Sequence, residues 1–347
     1  MRAVRGRRVL LIALGALLLS LVLAGAVGSV RIAPEEVVRI LIHRMGVLLQ
    51  PTWPETHALI LWDIRLPRVL MGMLVGMALS VAGGAYQGLF KNPLADPYVL
   101  GVSAGAAVGA ATAIAFVDKA LGLTGLWKLG PVPLFAFAGG LGAVTLVYRL
   151  AAVGRSVPTV ALLLAGVVVG SLSMSVVSLI LFFTNSSARD AIIFWLMGGL
   201  SGANWWKVGW MLPYLAVGVG VLLWHGRELN AFLLGEEPAA TMGVEVERLK
   251  RVVLVTGALL TAASVAFSGT IGFVGLVVPH LVRLLVGPDH RYLLPVSAVV
   301  GAVTLVLADT LARSLLESEL PVGLVMAMAG GPFFLYLLRR RMLPQER

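Results

Sequence analysis

Apolar residues run through this chain in long blocks rather than narrow stripes. Windows of roughly 20 residues with few charges, each long enough for a helix to cross a hydrocarbon core of about 30 Å, recur near 9–29, 66–90, 98–117, 131–152, 158–184, 192–224, 252–270, 272–286, 292–312 and 321–338. The pattern predicts an all-α, polytopic membrane protein with about ten transmembrane helices, the sixth with a leading interfacial piece, in a single domain over 1–347. The first window follows the basic start MRAVRGRR in the manner of a signal peptide. Its apolar core is too long for one, so it reads as a span.

One stretch breaks the pattern. LLGEEPAATMGVEVERLKR, at 233–251, sets Glu236, Glu237, Glu245, Glu247, Arg248, Lys250 and Arg251 between two hydrophobic runs. Within 228–251 the residues predict two short helices, one before the Pro238 region and AATMGVEVERLKR after it, with Gly243 able to take the backbone shape of a break. Either this is a solvated loop or it is a docking surface. A loop with no task is usually shorter and richer in turn residues, which favours docking.

Composition agrees with the membrane reading. Over 347 residues the hydrophobic fraction is 59% and charged residues are 13%, with a mean hydropathy of +0.95, more apolar surface than a soluble interior can hide. The 40 glycines suit closely packed transmembrane helices, and the lack of cysteine excludes disulfides and thiolate chemistry. The formal charge of +10 reads as topology-setting loop charge, with membrane lipid and no nucleic acid as the partner it implies. Basic clusters at the two termini and in the insert place all three in the cytoplasm, while most of the Lys and Arg on the outer side lie in 30–65. A weak internal echo adds to this: Arg65-Leu66-Pro67-Arg68-Val69 matches Arg248-Leu249-Lys250-Arg251-Val252, and ALSVAGGA at 78–85 matches AASVAFSG at 262–269. Five crossings separate the copies, so a real duplication would be inverted, as in many transporters.

No enzyme constellation is visible. There is no GxxxxGK[ST] loop, so any dependence on ATP and its Mg must come from another subunit, and this chain is expected to bind no cofactor of its own. His43, His57, His225, His280 and His290 show no pair at metal-ligand spacing; His280 reads as packed or interfacial, and GPDHR around His290 as an ordinary cytoplasmic turn. Asp63, Asp96, Asp309, Glu317 and Glu319 all fall near span ends, which weakens an ion-coupled secondary transporter without removing it. Asp309 and Arg313 are spaced for an intrahelical pair. Ser171, Ser175 and Ser178 share one face of the fifth span.

Eight stretches, in order, resemble one family: WDIRLPRVL, KNPLADPYVLGVSAGAAVG, LLLAG, FWLMGGLSG, LLGEEPAATMGV, SGTIGFVGLVVPHLVRLLVGPDHRYLLP, ADTLARSL and ELPVGLVMAMAGGPFFLYLL. They are similar to the FecCD family, the permease subunits of type II ATP-binding cassette importers for ferric siderophores, haem and cobalamin. The resemblance implies a BtuC-like ABC importer permease fold of about ten transmembrane helices. It also implies a homodimer in the cytoplasmic membrane of a prokaryote, with two ATP-binding cassette subunits below and an extracytoplasmic substrate-binding protein above. It assigns Glu236, Glu237 and Gly243 to ATPase coupling, and Arg65, Arg68 and Arg313 to docking of the binding protein on the outer face. Asn92 and Leu94 become a cytoplasmic gate and Thr159 a second constriction, next to Val160 where some relatives carry a small polar residue. Ser171, Ser175 and Ser178 become pore-lining candidates. The expected cargo is a ferric siderophore, with cobalamin or haem as alternatives.

Overall fold

The computed structural model describes residues 2–47, 50–117, 130–152, 154, 157–316 and 318–342; the Arg155 charge and the Glu317 carboxylate lie outside these. In chain order the helices are α1 (Arg2–Ala26), α2 (Pro34–Arg44), α3 (Glu55–Leu89), α4 (Val102–Val117), α5 (Pro131–Ala151), α6 (Thr159–Phe183), α7 (Ser186–Met197), α8 (Trp205–Trp224), α9 (Gly226–Leu233), α10 (Glu236–Thr241), α11 (Val246–Ser268), α12 (Val274–Val286), α13 (His290–Ala312) and α14 (Val322–Met342). Among the described residues, seven are long and apolar enough to cross a membrane, and α4, α12 and the apolar part of α14 are shorter. Each of the ten apolar windows therefore finds a helix.

The boundaries differ where charge was taken as a stop. α3 begins at Glu55 rather than near 66, because Asp63 and Arg65 sit inside a π-helical segment, Ile60–Arg65, that runs straight into Leu66–Leu89. The loop expected at 30–65 also contains α2. Its Pro34 opens the helix, Glu35 and Glu36 lie in the first turn, and His43 and Arg44 lie in the last, an order that complements the helix dipole. Likewise VERLKR belongs to the start of α11, not to the insert. The sixth window divides at Gly198, whose φ is 68°, into α7 and α8; the Asn185 and Asn204 side chains cap these by accepting from Ala188 N at 3.0 Å and Lys207 N at 2.9 Å.

α12 has 13 residues, about 20 Å of helix, too short to span. It starts after an irregular stretch at 269–273 where Phe273 has φ +67°. The Tyr98 hydroxyl pins the middle of that stretch, donating to Ile271 O at 2.9 Å and accepting from Ile271 N at 3.2 Å. Irregular backbone at this depth is tolerated because protein covers it.

Two faces emerge from the packing. α3 and α13 run antiparallel: Gly76 lies so close to Gly301 that a side chain at either would overlap the other's carbonyl, and Gly88 lies against His290. α1 runs parallel to α13, with Gly6 beside Tyr292 and Ala24 beside Arg313. One face thus gathers the start of α1, the end of α3, the insert and the start of α13. The opposite face gathers Arg65, Arg68 and the end of α13. Tyr86, near the end of α3, donates to Leu254 O near the start of α11 at 2.8 Å, so the two echoed segments run in opposite directions, as an inverted copy requires.

The centre and the perimeter are distinct. In its most apolar window α3 is 83% buried and α6 only 22%, so α3 is core and α6 is largely uncovered.

Candidate functional site

Arg65, Arg68 and Arg313 come together, but not as free cations. Arg65 donates to Gly25 O at 2.6 Å and to Val30 O, capping the carbonyl end of α1. Arg68 grips Asp309 with Nε and Nη2 at 2.9 to 3.1 Å and reaches Glu319 with Nη1 at 2.7 Å. Arg313 donates to Ala24 O and lies 3.9 Å from Asp309. The three are 4%, 8% and 9% exposed. The residues assigned to docking on the outer face are engaged internally in the structure. The Asp309–Arg313 pair expected from spacing is present, yet Arg68 is the stronger partner. A cavity of about 230 Å³ opens among Ser29, Ile64, Arg65, Arg68, Arg313 and Glu319.

The insert occupies the other face and is built for rigidity. α9 buries Leu229 and Phe232. α10 follows Gly235 (φ 136°), with Glu236 and Glu237 in its first turn and Pro238 inside it rather than before it; early carboxylates suit the dipole. At its end Gly243 takes φ +87°. Val244 N donates to Ala239 O at 3.1 Å and Gly243 N to Ala240 O at 2.9 Å, the paired bonds of a Schellman cap. Lys250 is buried and bonds Glu236 at 2.8 Å and Glu247 at 3.1 Å. What remains outward is a tip carrying Leu234, Glu237 and Met242.

The expected gate residues lie on the insert's side, Asn92 and Leu94 just past the end of α3. Asn92 spends its side chain on a local turn, accepting from Leu94 N at 3.0 Å. Its neighbour Lys91 has φ +48° and places Nζ 4.9 Å from the Phe232 ring centroid, joining this turn to α9. Thr159 opens α6, and Gly166, further along it, packs against Val99 O; Val160 is exposed. Ser171, Ser175 and Ser178 are exposed on the side of α6 opposite Leu162, Gly166, Val169 and Val177, which are buried. Ser175 and Ser178 bond back to Ser171 O at 3.1 Å and Met174 O at 3.0 Å, so their hydroxyls are satisfied without a further partner.

Sequence reasoning missed a polar node under the insert. GPDHR is not an ordinary turn: His290 is fully buried. Asn230 on α9 donates to Asp289 at 2.6 Å and accepts from His290 N at 2.8 Å and His290 Nδ1 at 2.9 Å. Arg291, with Asn230 adding to it, holds the Asp289 carboxyl down at about 2. Beside it, Gln87 bridges Leu276 O at 3.0 Å and Arg283 at 3.3 Å. Asp289 as an N-cap was legible; its pairing with Asn230, 59 residues away, carried no local signal.

Comparison with known proteins gives a consistent picture. A family model described as the FecCD transport family matches residues 16–340. The cobalamin import system permease protein BtuC of Halobacterium salinarum is 49% identical over 288 residues, covering 83% of this chain and 75% of that protein. The ABC transporter permease protein YvrB of Bacillus subtilis is 43% identical over 327 residues, 94% of this chain and 91% of its own. The iron(3+)-hydroxamate import system permease protein FhuG of Bacillus subtilis is 33% identical over 285 residues, with 81% and 84% covered. A solved structure described as an inward-facing metal-chelate type ABC transporter aligns with TM-score 0.83 at 30% identity, over 96% of this chain and 99% of the other.

Proposed function

The chain belongs to the FecCD transport family and is an ABC importer permease; we propose that its insert seats a separate ATPase and that its arginine face receives a substrate-binding protein. The observation that carries this reading is the braced, outward-pointing tip at 234–243 on one face, opposite the arginine cavity on the other. In this assignment Glu236, Glu237 and Gly243 form the ATPase contact, with the cytoplasm on the insert face. A Schellman-capped helix held by Lys250 transmits displacement where a loose loop would absorb it. The arginines serve first as struts. An acidic side chain of the binding protein reaches them through the 230 Å³ cavity, where three guanidinium groups face two carboxylates and leave net positive charge.

Two copies would complete the pathway. The uncovered serine face of α6 is an apolar wall with self-satisfied hydroxyls, suited to a homodimer interface around a pore, and Asn92, Leu94 and Thr159 fall toward its cytoplasmic end. The cargo we infer is a bulky metal chelate. Cobalamin moves ahead of a ferric siderophore because the relative at 49% identity is named for cobalamin.

The test is gentle detergent purification from native membranes, with mass spectrometry of co-purifying chains, followed by uptake of labelled cobalamin or ferric hydroxamate into vesicles. An ATPase at about equal stoichiometry with ATP-dependent uptake is expected. A chain that comes away alone and transports without ATP would put the rival, an ion-coupled transporter, ahead of this reading.

A further inference from the structure

We propose that Asn230 is a positioning residue that joins the coupling insert to α13, so that the arginine face and the ATPase-facing tip sense each other along that helix. The inference rests on the importer reading above.

The apolar contacts of α9, through Leu229 and Phe232, hold it against the body of the protein, but apolar contact is non-directional and does not fix register. Asn230 does. Its Oδ1 accepts from the His290 backbone N–H at 2.8 Å and from Nδ1 at 2.9 Å, while Nδ2 donates to Asp289 at 2.6 Å. A backbone N–H can only donate and a carboxylate can only accept, so the amide has one orientation that satisfies both. The His290 N–H is among the first-turn amides that a helix leaves without an internal partner. α9 thus caps α13 from outside, alongside Asp289, which accepts from Arg291 N at 3.0 Å.

The node is also wedged. His290 packs so tightly on Gly88 at the end of α3 that a side chain there would overlap its Nε2. From His290, helix α13, which spans His290–Ala312, rises about 28 Å to Asp309, where it meets Arg68 and Arg313. Displacement of the arginine face therefore has a continuous helix to travel along, and Asn230 is where that helix engages the insert. Asn230 itself faces α13, not the exposed tip.

The experiment uses the whole transporter, with its ATPase and binding protein, in lipid vesicles, and compares basal with binding-protein-stimulated ATP hydrolysis. Asn230→Asp sets two carboxylates against each other at the 289 contact. Asn230→Ala removes the amide without adding repulsion. Adding Asp289→Asn to Asn230→Asp exchanges donor and acceptor, and either residue type caps a helix well. Both single variants are expected to keep the ATPase bound and basal hydrolysis intact. Stimulation should fall about fivefold or more, within the usual span of coupling between sites, and the double variant should recover most of it. Stimulation unchanged in both single variants, or a double variant no better than Asn230→Asp, overturns the joint. A wild-type assembly with no stimulation overturns the importer reading itself, and the joint with it.

Discussion

The arginine face and the insert look alike in the sequence, each a knot of charge beside a hydrophobic run, and the structure uses them in opposite ways. Arg65, Arg68 and Arg313 are turned inward and bonded to the chain's own carbonyls and carboxylates. Glu236 and Glu237 face outward, and among the described charged side chains of the insert it is Lys250, behind them, that is buried. The difference follows from what each element can reach. A guanidinium withdrawn from water at a span end is costly unless its donors are answered; the open carbonyl end of α1 and Asp309 are within reach, and Arg313 Nε is left without a hydrogen bond among the described residues. At the tip of α10, Glu236 is held from behind by Lys250, while exposed Glu237 has no counter-group among the described residues. Charge near a span end is therefore a strut when the fold supplies a counter-group and a docking surface when it does not.

The largest test of that contrast is Asp309→Ala. It would leave Arg68 and Arg313 without their buried counter-charge, which costs about 3–5 kcal/mol when one partner of a buried pair is removed. Glu319, whose side chain is 51% exposed, should cost under about 1 kcal/mol on the same substitution. Thermal unfolding in detergent compares the two directly. Equal losses would mean that the arginine face is not the internal clamp described here.

Next is Gly243→Pro. Proline fixes φ near −65° and cannot donate, whereas Gly243 has φ +87° and donates to Ala240 O at 2.9 Å. The local cost is about 3 kcal/mol or more, confined to the exposed tip, so the protein should stay in the membrane at normal level while substrate uptake is lost. Normal uptake by this variant would remove the tip from the coupling path.

How much of this was legible follows the same division. Window length and hydropathy located all ten apolar helices, because a hydrocarbon core imposes a length that sequence carries directly. The charge-based boundaries failed at Asp63, Arg65 and VERLKR, because a helix continues through charges whose partners lie on other helices. Gly243 was readable as a break, since positive φ favours glycine. The inward turn of the arginines and the Asn230 node were not readable, because each depends on partners distant in the chain, such as Asp309, 241 residues from Arg68.

A smaller effect separates the node from its surroundings by pH. Asp289 is depressed to about 2, below the ordinary carboxylate value near 3.9. A depressed carboxylate contributes stability that is present above its unfolded value and lost as pH falls through the folded one. Unfolding of the assembly should therefore be insensitive to Asp289 from pH 8 to about 5 and weaken between about 4 and 2. The contribution is on the order of 1 kcal/mol after allowance for partial exposure. Asp289→Asn should flatten that acid limb; an unchanged limb would assign it to other carboxylates.

The smallest expected effect on the fold is at Glu236, and it is the sharpest test of the comparison. Lys250 holds two carboxylates, Glu236 at 2.8 Å and Glu247 at 3.1 Å, so Glu236→Ala leaves it one partner. Both carboxylates are about half exposed, and solvent-screened pairs contribute about 0–1 kcal/mol. Stability of the isolated permease should barely move. If the tip is a docking surface, its partner should notice the missing charge: the salt dependence of ATPase capture should change while the melting curve does not. A shift in melting without a shift in capture would make Glu236 a strut like the arginines, and the two faces would then differ only in depth.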